Sequence, residues 1–324
     1  MADNSELPTS KSKLDVIRSR HELLKAMREF FYAAGYLEVE TPNLMRTAAP
    51  DPNIEPLKVY VEDKGPLYLH TSPEIGMKKL LHYGHERIFQ LCKVYRVEEQ
   101  GEIHNIEFTM LEWYREGTYL DAMREVENLI THVAKVFPTY DLNSFDRPWK
   151  VYDLAELFVS ETGVNPFELD RNELSLSMIK AGFLGIDDKD TWNDLFFKLF
   201  IQEVEPRIPK KAPYFIIDWP LSVSTMAKRK DVNRVERFEF YMNGLEIANG
   251  YTELLDVIEQ KKRFERDNSE RTVSGRQTFS IDEEFLDALG RLKGSYTGVS
   301  IGVDRLLMAL LGKERIADVL VQRI

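Results

Sequence analysis

RIFQLCKVYRVEEQGEIHNIEFTMLEWYR, residues 87–115, places two runs rich in apolar, β-branched and aromatic residues on either side of a polar segment. Such runs read as the two strands of an antiparallel hairpin joined by QGEIHNI. In the second run the even positions Phe108, Met110, Glu112 and Tyr114 share one face, because side chains alternate along a strand. That face carries an acid and a phenol among apolar groups. Glu112 is then either turned outward from an edge strand, or buried against a partner or a cationic ligand, since an unpaired buried charge costs several kcal/mol.

Working outward, Ile17, Leu23, Leu24, Met27, Phe30 and Phe31 recur at helical spacing, so the sequence predicts a helix over 14–34 stopped by Gly35. GYLEVETPNL (35–44) alternates Leu37 and Val39 with Glu38 and Glu40 and reads as a strand ended by Pro42. In TSPEIGMKKLLHYG, Ser72 is the expected N-cap and Pro73 the first position of a helix over 72–83. From about 119 to 210 the pattern is mostly helical and reads as an insertion. YFIIDWP, RFEFYMNGLEIANG and GVSIG return to strand character, with helices expected over 253–268 and 282–289. Strands interrupted by helices without regular βαβ alternation predict an α+β fold around an antiparallel sheet.

The 324 residues, 43% of them hydrophobic, are enough for a full core without staples. The single cysteine, Cys92, excludes an intrachain disulfide framework and reads as a core residue in a reducing compartment. The first residues are polar and no apolar run has the length of a membrane span, so a cytoplasmic protein with no membrane partner is expected. A net charge of -11 argues against a broad nucleic-acid footprint, and the short basic runs PKK and KRK read as solvated faces.

Three groups of residues point to chemistry. Arg96, Glu98, His104 and Asn105 lie on or beside the hairpin loop, where Arg96 could pair with a phosphate while Glu98 and the loop backbone read a base and Phe108 stacks on it. In RFEFYMNGLEIANGYTELLD the acids Glu239, Glu246 and Glu253 are separated by seven residues each. If they face one polyphosphate cavity, at least two must hold a divalent cation such as magnesium. Finally, TGVSIGVDRLLM sets Gly298 and Gly302 around Ser300 and puts Arg305 in the first turn of a helix, which suits an anion. Taken alone, the same segment also reads as packed strand glycine beside an arginine salt bridge.

GYLEVETPNL, YRVEEQGEIHNIEFTMLEWY, GLEIANGYTELLD and GVSIGVDRLLM resemble, in this order, the signature motifs of class II aminoacyl-tRNA synthetases, and in detail those of the lysyl branch. The resemblance runs from about residue 14 to the end and is weakest in the helical stretch. It implies an antiparallel catalytic core that binds ATP and magnesium and forms an aminoacyl-adenylate. Arg96 would hold the α-phosphate and the amino-acid carboxylate, and Arg96, Glu246 and Arg305 would be the catalytic groups. Val97, Glu98 and Asn105 would contact adenosine and His104 the phosphates, Phe108 and Arg305 would sandwich adenine, and Ile247 and Gly302 would line the nucleotide. Glu239 and Glu246 would bind the metal. Ser72, Pro73 and Glu74 would form the amino-acid site with Asn249, with Glu74 at the backbone amine and Asn249 at the carboxylate; Glu112, Tyr114 and Glu253 would surround the side-chain ammonium. Two carboxylates and a phenol about one ammonium would reject neutral or acidic side chains by leaving buried acids unpaired.

Lysyl-tRNA synthetases carry an N-terminal anticodon-binding barrel, whereas here the first catalytic helix is expected almost at the start of the chain. Together with TSPE, FQLCKVYR and EIANG, this resembles the stand-alone synthetase paralogues that activate (R)-β-lysine and transfer it to a lysine ε-amine of elongation factor P. The resemblance implies elongation factor P as the acceptor in place of tRNA, and a homodimer built on the first motif. A shortened lysyl-tRNA synthetase using α-lysine with tRNA or another amine is the competing expectation. Val97 and Ile106 depart from the usual asparagine and proline. Ser300 stands where lysyl-tRNA synthetases have glycine and the paralogues usually alanine, so it should crowd the substrate α-carbon.

Overall fold

The computed structural model describes residues 10–97, 101–142 and 145–322. Helix α1 (Ser10–Ala33) turns Leu23, Ala26, Met27 and Phe31 into the core and ends before Gly35, whose φ of 77° is left-handed. Strand β1 (Leu37–Glu38) follows, then a three-stranded antiparallel sheet of β2 (Leu44–Met45), β3 (Lys58–Val61) and β4 (Gly65–Leu69) in the order β2-β4-β3. After α2 (Glu74–Leu81) come the hairpin strands β5 (Arg87–Tyr95) and β6 (Glu107–Glu116), then α3 (Tyr119–Ala134). Next are β7 (Lys150–Asp153), α4 (Leu154–Thr162), α5 (Arg171–Lys180) and α6 (Trp192–Leu199). The chain continues through β8 (Tyr214–Ile217), β9 (Arg237–Met242), β10 (Leu245–Thr252), α7 (Val257–Val273) and α8 (Glu283–Arg291). It closes with β11 (Tyr296–Gly302) and α9 (Val303–Leu311). Helices α4 to α8 each begin after an Asp or Thr whose side chain accepts a first-turn amide, the capping chemistry that makes helix starts legible.

The main sheet has eight strands in the order β1-β5-β6-β11-β10-β9-β8-β7. Its interior pairs are antiparallel and only the outermost pairs, β1 with β5 and β7 with β8, are parallel, so the fold is α+β with a large antiparallel sheet flanked by helices. Asn243 and Gly244, with φ of 54° and 73°, make the tight turn between β9 and β10. Alternation divides the strands between two faces. Leu111, Trp113, Phe238, Phe240, Val299 and Ile301 pack with α1, α3 and α9 in the largest apolar cluster. The opposite face of β6, β11, β10 and β9 is left for a cavity, to which α2 contributes Glu74, while α2, α7 and α8 form their own cluster with Ile88 and Tyr114.

Two expectations change. GYLEVETPNL is not one alternating strand: only Leu37 and Glu38 pair with β5, Val39 adds one bond to the Phe89 carbonyl at 2.9 Å, and Leu44 belongs to the small sheet. Pro42 has no amide to continue the ladder. Tyr36 is the buried residue there and Leu37 is 49% exposed, while Glu38 is fixed by the Arg28 Nε at 2.9 Å. The stretch read as a helical insertion divides in two. Helix α3 is part of the main core, while α4, α5 and α6 share a separate cluster with Tyr214, Ile216 and Trp219, and the edge strand β7, which the helical reading did not include, runs directly into α4. Among the described residues no helix is long and apolar enough to cross a membrane.

Candidate active site

Strand register assembles the site. Glu112 of β6 lies opposite Ser300 of β11, Ser300 opposite Asn249 of β10, and Asn249 opposite Glu239 of β9. Two residues along, Tyr114, Gly298, Tyr251 and Arg237 form a second row across the same four strands. Because side chains alternate, both rows face the same side. They line a cavity of about 450 Å³, which is within the range of small-molecule sites. Arg271, wholly buried, donates to the carbonyls of Asp51 at 2.7 Å and Ile54 at 3.2 Å and so fastens the loop that supplies these two residues to the cavity wall.

One end of the cavity is acidic. Glu112 is 2% exposed, so it is not the outward edge residue that the sequence left open. Its Oε1 accepts from the Tyr114 hydroxyl at 2.6 Å and its Oε2 from the Ser72 hydroxyl at 2.7 Å. Ser72 Oγ also accepts the amide of Glu74 at 3.0 Å and so touches both the site and the start of α2, but Pro73 takes the capping position expected of Ser72 and α2 starts later than predicted, at Glu74. Burial, then the charge of Glu74, pushes Glu112 up to about 7 against the Tyr114 and Ser72 hydrogen bonds. Glu253 is pushed up to about 8, by burial first and also by Glu74 and Glu112, against the pull of Lys78. The phenols of Tyr114 and Tyr251 are raised by burial and by these carboxylates, and so stay protonated.

Glu253 itself is not on the cavity wall. It lies behind Gly298, paired through Oε2 with the Nζ of Lys78, which also contacts Glu74 Oε1 at 2.5 Å. Lys78, Tyr251 and Arg237 are site residues that the sequence reading missed. MKKLL reads as the solvated face of a helix, yet Glu74 and Lys78 are four apart and so adjacent on α2. Tyr251 and Arg237 lie two positions from Asn249 and Glu239 and therefore on the same strand faces, a signal that the strand period already carried.

The other end is cationic and aromatic. Arg96 donates from Nε to the Thr71 carbonyl at 3.1 Å, with its guanidinium 5.3 Å from the centre of the Phe108 ring. Arg305, in the first turn of α9, donates from Nη1 to the Glu246 carbonyl at 3.2 Å, lies 3.6 Å from its Oε2, and contacts His104 Nε2 through Nη2. Asn105, Ile247 and Gly302 line the cavity beside them, with the Asn105 amide donating to the Glu107 carbonyl at 2.6 Å. Glu239 accepts from Arg237 at 2.7 Å and Asn249 at 3.4 Å through Oε1, and from Tyr241 at 2.7 Å through Oε2. Burial, then the neighbouring Glu246, pushes it up to about 8. No cluster of three or more metal-ligating side chains occurs among the described residues. Glu239 and Glu246 are neighbours, and since both oxygens of Glu239 already accept hydrogen bonds, Glu246 is the accessible carboxylate for a hard divalent cation.

The cavity thus gathers Ser72, Glu74, Arg96, His104, Asn105, Phe108, Glu112, Tyr114, Glu239, Glu246, Ile247, Asn249, Ser300, Gly302 and Arg305. Pro73 is buried but lines no part of it, Val97 is 45% exposed and outside it, and Glu98 lies outside the described residues. Cys92 is half-buried and not a core residue, and burial, then Glu112, pushes its thiol up to about 12, so it stays a neutral bystander.

Residues 6–321 match the family model of class II tRNA synthetases (D, K and N). The elongation factor P--(R)-beta-lysine ligase of Salmonella typhi is 37% identical over 93% of this chain and 92% of its own length. Those of Salmonella arizonae and Edwardsiella ictaluri are 38% and 36% identical over the same shares. The chain therefore belongs to the class II tRNA synthetase family, and within it to the ligases related to lysyl-tRNA synthetase that are named for elongation factor P and (R)-β-lysine.

Proposed function

We propose that this ligase activates (R)-β-lysine, and α-lysine less well, with ATP as an aminoacyl-adenylate and transfers it to the ε-amine of a lysine on elongation factor P. The observation that carries this reading is one cavity with buried carboxylates at one end and Arg96, His104 and Arg305 at the other. The substrate ammonium groups would lie against Glu74, Glu112 and Glu253, and its carboxylate toward Arg96 and Asn249. That carboxylate attacks the α-phosphorus of ATP as the bond to pyrophosphate breaks. Alignment and charge neutralisation by Arg96 and Arg305 are what this step needs, without a general base. Glu239 and Glu246 would hold a divalent cation, which supplies further positive charge to the phosphates when bound. In the second step the acceptor amine attacks the activated carbonyl, AMP leaves and the amine loses a proton. Exposed Tyr32, Leu37 and Leu44 on and beside the sheet edge at β1 support a two-fold dimer through this segment.

Purified enzyme with ATP, elongation factor P and each lysine isomer in turn is expected to raise the intact mass of the factor by one lysyl residue, most readily with (R)-β-lysine. Lysine-dependent pyrophosphate exchange with no mass increase would sink the acceptor assignment, and transfer of labelled lysine to tRNA would favour the shortened-synthetase reading.

Ser300 bears on the isomer. It is half-buried between Glu112 and Asn249, with its Oγ 3.5 Å from the Asn249 carbonyl, so its Cβ and Oγ take space where a substrate α-carbon would pass. Ser300→Gly is expected to raise kcat/KM for α-lysine relative to (R)-β-lysine by about ten-fold, the scale of one small group in a packed pocket. Pyrophosphate exchange with each isomer measures the ratio, and an unchanged ratio removes Ser300 as the discriminator.

A further inference from the structure

The least expected group in the site is Lys78. Its side chain is 2% exposed, it lies off the cavity wall, and its Nζ contacts Glu74 Oε1 at 2.5 Å, Glu253 Oε2, and Met226 Sδ at 3.8 Å. It also sits 5.2 Å from the centre of the Tyr251 ring and 5.9 Å from that of Tyr114. A buried ammonium is costly unless paired, and here both of its ionic partners are groups of the amino-acid pocket. We propose that Lys78 is a positioning and specificity-determining residue that cancels one of the three pocket carboxylates, Glu74, Glu112 and Glu253, and so fits the pocket to a substrate carrying two ammonium groups.

The proposal rests on the function proposed above, and two observations carry it. The first is the charge balance. When cations meet all three of them, Glu74, Glu112 and Glu253 bring three negative charges, against which Lys78 sets one positive, while Tyr114 and Tyr251 face the same groups as neutral phenols. Two net charges remain, equal to the two ammonium groups of lysine or β-lysine. The substrate carboxylate is matched separately, at the Arg96 end. A substrate with one ammonium would leave a buried negative charge unmatched.

The second is the division of oxygen atoms. Lys78 and the Tyr251 hydroxyl both engage Oε1 of Glu74, and Lys78 engages Oε2 of Glu253. Glu253 Oε1 is buried with no hydrogen-bond partner among the described residues. It lies 2.6 Å from where a Cβ on Gly298 would sit, and Gly298 is on the cavity wall. Lys78 therefore holds each carboxylate by one oxygen and leaves the other for the ligand. Burial alone would lower the lysine pKa, but Glu253 and Glu74 raise it, so the cation persists at neutral pH.

Lys78→Met, Lys78→Arg and Lys78→Met/Glu253→Gln, each checked for folding by thermal melting, are compared with wild type in lysine-dependent pyrophosphate exchange across pH. Without the cation, Glu253 ionises less readily. Lys78→Met is therefore expected to raise KM for lysine about ten-fold at pH 7, with a smaller change in kcat, and to displace the kcat/KM profile to higher pH by about one unit. Lys78→Arg keeps the charge and should keep the position of the profile. The double variant removes the ion pair as a pair and should return the profile to the wild-type position, although KM stays high. A folded Lys78→Met with a wild-type profile, or a loss confined to kcat, would overturn the proposal. If the single variant does not fold, an alkaline displacement in the double variant overturns it instead. Calorimetry of lysine binding without ATP separates this from the function itself. Wild type that binds lysine without supporting exchange defeats only the adenylation reading, whereas wild type that binds no lysine defeats both.

Discussion

Arg96→Ala is expected to reduce lysine-dependent pyrophosphate exchange by about a hundred- to a thousand-fold in kcat, the usual effect of removing one preorganised group that stabilises developing charge. At the cationic end of the cavity its Nε is held by the Thr71 carbonyl at 3.1 Å, next in sequence to the serine that bonds Glu112, and the guanidinium lies 5.3 Å from the Phe108 ring. It is thus placed to meet a carboxylate from one side and a phosphate from the other, which is the geometry that carboxylate attack on phosphorus requires. It is half-buried on a cavity wall, so truncation should change the melting temperature only slightly. Arg96→Lys should recover only part of the rate, because an ammonium keeps the charge but not the planar fork. Exchange within ten-fold of wild type in a folded Arg96→Ala would remove Arg96 from the reaction.

The hairpin that contains Arg96 shows why much of the site was legible. A period of two in EFTMLEWYR fixes Glu112 and Tyr114 on one face, and the same period in RFEFYM and GVSIG fixes Glu239 and Ser300. Once the strands pair, these residues have to become neighbours. Sequence patterning has less to say where the backbone departs from a regular element. GYLEVETPNL alternates like a strand, but Pro42 leaves it a two-residue edge, and β7 is a short parallel edge that runs straight into α4. Lys78 was missed for a different reason. A lysine on an amphipathic helix is ordinarily solvated, and only the fold brings Glu253 from the end of β10 against α2, where the pair becomes buried. The expected role of Glu253 as a direct wall of the pocket changes for the same reason: it reaches the cavity only past Gly298.

That passage gives the second large effect. Gly298 has no left-handed backbone, so its importance is space, not conformation. A Cβ there would collide with the Tyr114 ring and stand 2.6 Å from Glu253 Oε1. Neither neighbour can easily yield, since the Tyr114 hydroxyl is bonded to Glu112 at 2.6 Å and Glu253 is held by Lys78. Gly298→Ala is expected to raise KM for lysine by at least about a hundred-fold and to cost about 1–3 kcal/mol of stability, as overpacking does. Binding of ATP should change little, because Arg305, His104 and Phe108 lie at the other end of the cavity. Gly302→Ala provides the contrast: its Cβ would meet nothing nearer than Arg305 Cβ at 3.9 Å, an ordinary contact, so KM for lysine should remain near wild type. Binding of lysine and ATP measured separately by calorimetry on both variants tests this. A folded Gly298→Ala that still binds lysine within three-fold of wild type would show that Glu253 is not reached through this gap, and that the ammonium site is confined to Glu74 and Glu112.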